Sequence, residues 1–191
     1  KIVKIVALLF FSLLSSSIRL SASTITETFS GTLSSGIDNV GIFGPKGASL
    51  AGDTATVTYM LNAPLLAADG LYQTISPTEE SLYATANDGA LSESITVNGS
   101  TFTQTTTAGG QEQITTEKVG TGSLVSTSLY NSSTGAGMSF QFQSTAPYQY
   151  PTLLSNPQSF LNHVSAAITS VSVGIDTEGG NFETDIVITP G

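Results

Sequence analysis

The chain has 191 residues, of which 10% are charged, against about 25% in an average globular domain. Its length fits a single domain. It has no Cys, which excludes a disulfide framework, thiolate metal ligation and a cysteine nucleophile. Its formal net charge of −9 has the wrong sign for a nucleic-acid partner.

Residues 1–23 read as a signal peptide. Lys1 and Lys4 give a basic start, 5–14 is an apolar run broken by Ser12, and Ser21-Ala22-Ser23 is a small-residue exit. The run falls short of the roughly 20 apolar residues of a membrane span. Its removal takes Lys1, Lys4 and Arg19, leaving Lys46 and Lys118 against 14 acids. Such a surface repels anionic lipid, DNA and acidic glycans and attracts divalent cations. Residues 24–191 are expected to form one domain.

Downstream, short segments of alternating polarity are joined by turn residues. A first strand is expected over 25–33. It leads into a stretch with Gly at 31, 36, 41, 44, 47 and 52. That stretch has no G-x-G-x-x-G, no Gly-Lys-Ser/Thr and no helix signal after it, so it reads as turns and not as a phosphate loop. Asp38 is expected to bond back to nearby amides, with Phe43 and Leu50 pinning the loop to the core. A strand over 54–61 follows, with Ala55, Val57, Tyr59 and Leu61 on one face and Thr54, Thr56 and Thr58 on the other.

A strand over 71–75 comes next. A helical turn over 78–86 is read from Thr78, Glu79 and Glu80 ahead of Leu82 and Tyr83. Asn98-Gly99 is the strongest local signal, because this pair favours a two-residue type I′ hairpin. It sets 94–97 against 100–107, with Val97 beside Ser100 and Ile95 beside Phe102 on the apolar face. Thr96 then meets Thr101, and Ser94 meets Thr103, on the polar face. Further strands are expected at 111–119, 124–130, 166–173 and 182–189. Another is expected where Met138, Phe140 and Phe142 alternate with Ser139, Gln141 and Gln143. Ser155-Asn156-Pro157 reads as the start of a second helical turn over 158–164. The predicted fold class is all-β: an antiparallel β-sandwich or jelly roll of about nine strands, with one or two short helical turns.

Little points to catalysis. The single His, His163, has no Gly-x-Ser-x-Gly elbow to serve, and one His without Cys cannot build a zinc site. Glycosidases need only two carboxylates, but Glu79, Glu80, Asp88, Glu93, Glu112 and Glu117 read as solvent-facing among Thr and Ser. No enzymatic activity is expected. Asp176, Glu178, Asn181, Glu183 and Asp185 gather oxygen donors around Gly179-Gly180 and form a candidate calcium site, the one cofactor implied. Tyr72, Tyr83, Tyr148 and Tyr150 are candidate platforms on which a sugar ring would stack.

Gly31, Gly36, Asp38, Gly41, Phe43, Gly44, Gly47, Leu50 and Gly52 follow the pattern G-x4-G-x-D-x2-G-x-F-G-x2-G-x2-L-x-G. With the alternating strand after it and the Ile-Thr-Val-Asn-Gly hairpin at 95–99, this segment resembles the N-terminal module of small exported bacterial proteins of the PEP-CTERM type. The family's Pro-Glu-Pro motif, apolar helix and basic end do not follow Thr189-Pro190-Gly191 in this chain. The resemblance implies a non-enzymatic protein that is secreted, extracellular or on the bacterial cell surface, linked to adhesion or to an exopolysaccharide and biofilm matrix. Its partners would be extracellular polysaccharide or other surface proteins. It would meet the membrane only through the signal peptide or a C-terminal tail. A second reading is a carbohydrate-binding module, calcium-assisted, which a row of exposed Tyr on one sheet face would favour.

Overall fold

A computed structural model describes residues 24–62, 72–86, 90–106, 110–132, 134–148, 167–177 and 180–188. They form β1 (Thr24–Leu33), β2 (Ile37–Asp38), β3 (Ala48–Ser49), β4 (Thr54–Asn62), β5 (Tyr72–Ser76), β6 (Glu79–Ala86) and β7 (Leu91–Val97). Then follow β8 (Ser100–Thr105), β9 (Gly110–Val119), β10 (Gly122–Asn131), β11 (Ala136–Ser144), β12 (Ile168–Thr177) and β13 (Gly180–Ile188). Eleven strands make one antiparallel sheet in the order β5-β6-β9-β10-β11-β12-β13-β1-β4-β7-β8, and β2 pairs with β3 separately. The stretch from β9 to β13 is an unbroken meander, in which each strand pairs with the next in sequence.

The sheet turns over at the β13–β1 join. There only residues 31–33 of β1 pair with 186–188 of β13, whereas 24–32 pair with β4. The two arms then face each other as the layers of a sandwich. Phe142 of β11 meets Tyr59 of β4 with ring centroids 5.9 Å apart, and Phe29 of β1 at 5.5 Å. Between the layers lie Val57, Leu61 and Ile95 from one arm and Ile114, Phe140 and Val173 from the other.

Alternation builds these strands as their sequence predicts. Ala55, Val57, Tyr59 and Leu61 are buried, as are Met138, Phe140 and Phe142. Asn98 and Gly99 turn the β7–β8 hairpin with φ of 52° and 84°, and Val97 pairs with Ser100 and Ile95 with Phe102. One element differs. The helical turn expected over 78–86 is strand β6, joined to β5 on one side and β9 on the other. The start signal at Thr78-Glu79-Glu80 is local, and two flanking ladders satisfy the backbone of this segment better than one short turn would. No helix occurs among the described residues, and the turn expected over 158–164 falls outside them. So does the signal peptide over 1–23.

The glycine-rich loop folds around Asp38. Its Oδ1 accepts from the amides of Gly41 at 2.6 Å and Ile42 at 3.1 Å, and its Oδ2 from those of Phe43 at 2.7 Å and Gly44 at 2.9 Å. Burial by itself would raise the pKa of this carboxyl, but the four amides outweigh it and hold it below the usual carboxylate range. Phe43 and Leu50 are buried, and the Phe43 ring sits 5.2 Å from that of Phe182 on β13. Gly36 is required by position. Its φ is +136°, and a Cβ there would lie 3.1 Å from Thr184 Oγ1.

Candidate functional site

The outward faces of β10 to β13 carry the candidate site. Alternation sends Ser126, Ser128 and Tyr130 out from β10, because Val125, Thr127 and Leu129 point into the core. Register then lines up rows across the strands. Tyr130 pairs with Gly137, Gly137 with Asp176, and Asp176 with Asn181. The next row runs Ser128, Ser139, Gly174, and the one after it Ser126, Gln141, Ser172.

Two glycines make this surface concave. Gly137 and Gly174 leave bare backbone on adjacent strands, and the depression above them holds about 560 Å³ between Tyr130, Asp176 and Asn181. It continues into a second depression of about 550 Å³ over Ser126, Gln141 and Ser172. Tyr130 is 44% exposed and leans over the first glycine, where an added Cβ would lie 3.9 Å from its ring. An added Cβ on Gly174 would lie 2.8 Å from Ser139 Oγ. The result is an aromatic face, a flat floor, and a carboxylate and an amide at the far end. These groups can stack one face of a sugar ring and hydrogen-bond its hydroxyls.

The residues singled out from sequence are distributed as follows. Asp176 and Asn181 are exposed register partners at the end of the groove. Glu183 and Asp185 stand in register with Gly174 and Ser172, with side chains outside the described set, and Glu178 is also outside it. Among the described residues no three acids or His gather as a metal would require. Tyr72 and Tyr83 are register partners on β5 and β6, and Tyr83 is half-buried. Tyr148 is half-buried beyond β11, and Tyr150 and His163 lie outside the described residues. Of the two whose side chains are described, neither Tyr83 nor Tyr148 lines the groove.

The solvent-facing reading of the carboxylates fails for three of them. Glu80, Glu93 and Glu112 are buried in the core face. Glu93 and Glu112 occur in phase with apolar neighbours, Leu91, Ile95 and Val97 in one strand and Ile114 in the other. Each meets a threonine hydroxyl from the opposite arm. Thr127 of β10 donates to Glu93, and Thr106, just past β8, donates to Glu112 at 2.7 Å. Burial pushes the Glu93 carboxyl up to about 8, against a lowering by the Thr127 bond. The Tyr59 phenol is raised too, first by burial and then by the charges of Glu93 and Glu112. Glu93 Oε2 and the Tyr59 hydroxyl have no hydrogen-bond partner among the described residues. This cluster braces the two layers and is shut away from solvent.

Tyr130, Gly137 and Gly174 were not singled out from sequence. Tyr130 stands in phase with Ser126 and Ser128, which is a signal for exposure. The glycines gain meaning only from register. Comparison of the chain with protein-family models, curated proteins and solved structures gives no match.

Proposed function

We propose that this chain is a non-enzymatic exported protein of the bacterial cell surface or extracellular matrix, of the PEP-CTERM type, and that it holds neutral polysaccharide in the β10–β13 groove. The row Tyr130–Gly137–Asp176–Asn181 carries the reading. It combines an exposed aromatic ring, a glycine beside it, and a carboxylate and an amide at one end in a single line. An uncharged glycan suits it, because the acid-rich chain repels an acidic one. The Gly-rich module and its Asp38 turn support the family part of the proposal.

The experiment is retardation of the protein in native gels cast with a panel of neutral polysaccharides. The wild type is expected to be retarded by at least one of them, and Tyr130→Ala to run as it does in a blank gel. Equal retardation of both proteins, or none across the panel, would defeat the glycan reading.

A further inference from the structure

The outer face of the other arm is built on a different plan. β1, β4, β7 and β8 are consecutive in the sheet, and their three pairings run without a register shift. Their outward residues therefore fall into continuous rows. One reads Ser30, Thr56, Thr96, Thr101, and the next Thr28, Thr58, Ser94, Thr103. A third has Thr26, Ser92 and Thr105, broken by Met60. Hydroxyls thus repeat about every 4.8 Å across the strands and about every 6.8 Å along them.

Eight of these eleven hydroxyls are held in place by their neighbours. Cross-strand bonds join Thr28 to Thr58 at 3.2 Å, Ser30 to Thr56 at 3.0 Å, Thr96 to Thr101 at 2.8 Å and Ser92 to Thr105 at 2.9 Å. Each bond fixes a side-chain rotamer, so the threonine methyls are fixed as well. These rows hold no charged and no aromatic side chain, in a chain with 14 acids and 15 Tyr and Phe.

We propose that this face binds ice. The ligand that fits it repeats in two directions, is uncharged, and donates and accepts hydrogen bonds in equal measure. A hydroxyl does both, and the methyls between the hydroxyls order the water next to them. The spacings of the grid are of the same order as the oxygen repeats on the faces of hexagonal ice. A glycan chain repeats in one direction only and draws much of its affinity from aromatic stacking, which this face does not offer. Strand twist of about 20° between neighbours concentrates the match on adjacent strands. Thr56 and Thr58 of β4 with Ser94 and Thr96 of β7 are its centre.

The test is partition of the protein between a slowly growing ice hemisphere and the remaining liquid, with an unrelated acidic protein as reference. The wild type is expected to be enriched in the ice, and Tyr130→Ala to be enriched equally. Thr58→Tyr with Thr96→Tyr is expected to lose enrichment. Thr101→Lys with Thr103→Lys, on the exposed edge strand β8, supplies a second variant should the first fail to fold. Exclusion of the wild type from ice overturns the inference, as does undiminished enrichment of a folded grid variant. If grid variants instead lose retardation by a polysaccharide while ice partition stays at the reference level, the face belongs to the glycan and the inference is wrong.

Discussion

Asp38 and Glu93 are both sealed from solvent, yet the fold treats them in opposite ways. Asp38 lies where the chain leaves the sheet, and the amides at 41–44 have no ladder to satisfy. Four of them turn to its carboxylate and keep it ionised. Glu93 lies mid-strand, where β4 and β8 already pair its neighbours' backbone groups on both sides. It receives one hydroxyl, that of Thr127, and answers burial by keeping its proton, with its pKa pushed up to about 8. Burial alone does not set the charge of a carboxyl. The supply of unspent donors around it does.

The largest expected effect comes from taking Asp38 away. Asp38→Ala strands buried amide donors and should cost on the order of 5 kcal/mol. Glu93→Gln keeps the shape and neutrality of its site and should cost about 1 kcal/mol. Urea unfolding at pH 7 measures both. Equal losses would break the contrast.

The pH profile sharpens it, because the two groups act with opposite sign. The Asp38 pKa is lower in the folded state, so its contribution is present above its unfolded value and lost as pH falls through the folded one. The Glu93 pKa is raised from 4.5 to about 8, so the folded state holds a proton that the unfolded state releases. Its contribution is therefore full below the lower value and declines as pH rises through the interval. Between pH 5 and 8 that decline should reach about 3 kcal/mol. Glu93→Gln is expected to flatten this limb while leaving the acid limb in place. Melting curves across that range decide the matter.

A smaller effect should come from Thr127→Val. The hydroxyl bond opposes the rise of the Glu93 pKa, so its loss moves that pKa higher still. Stability should fall by about 1 kcal/mol, and the alkaline decline should extend to higher pH. The carboxyl stretching band of Glu93, followed by infrared difference against Glu93→Gln, would report the shift. An unchanged midpoint would mean that Thr127 does not tune this acid.

Much of this was legible in the sequence, and the limits have a physical cause. Alternation fixes which face a side chain takes, so the β7–β8 hairpin, β4 and the Asp38 turn could be read residue by residue. Glu93 obeyed the same rule, standing between Leu91 and Ile95. Its charge and its Ser neighbours point to solvent, its phase to the core, and the phase prevails. Thr78–Glu80 imitated a helix start because a capping signal is local and a strand's partners are not. What no local pattern holds is register between distant strands. Thr127 meets Glu93, and Tyr130, Gly137 and Asp176 form a row, only once β10 is threaded between its neighbours.

Asp176 poses the charge problem a third time, at the surface. It is exposed and paired in register with Asn181, with neither the amides of Asp38 nor the dry surroundings of Glu93. The sequence carries further acids at 178, 183 and 185, and a cation from solution would offset the repulsion of such a set. A ligand that binds only the folded state stabilises it by RT ln(1 + [L]/Kd), or about 0.4 kcal/mol when its concentration equals Kd. Monovalent salt screens the same repulsion without occupying a site. Millimolar Ca²⁺ is therefore expected to raise the melting temperature by about 1 °C more than NaCl at equal ionic strength. Asp176→Asn with Glu178→Gln should remove that margin, because the two substitutions delete two of the hard oxygen charges around the hairpin tip. Superimposed melting curves in the two salts would show that water alone serves this third carboxyl, as amides serve the first and a proton the second.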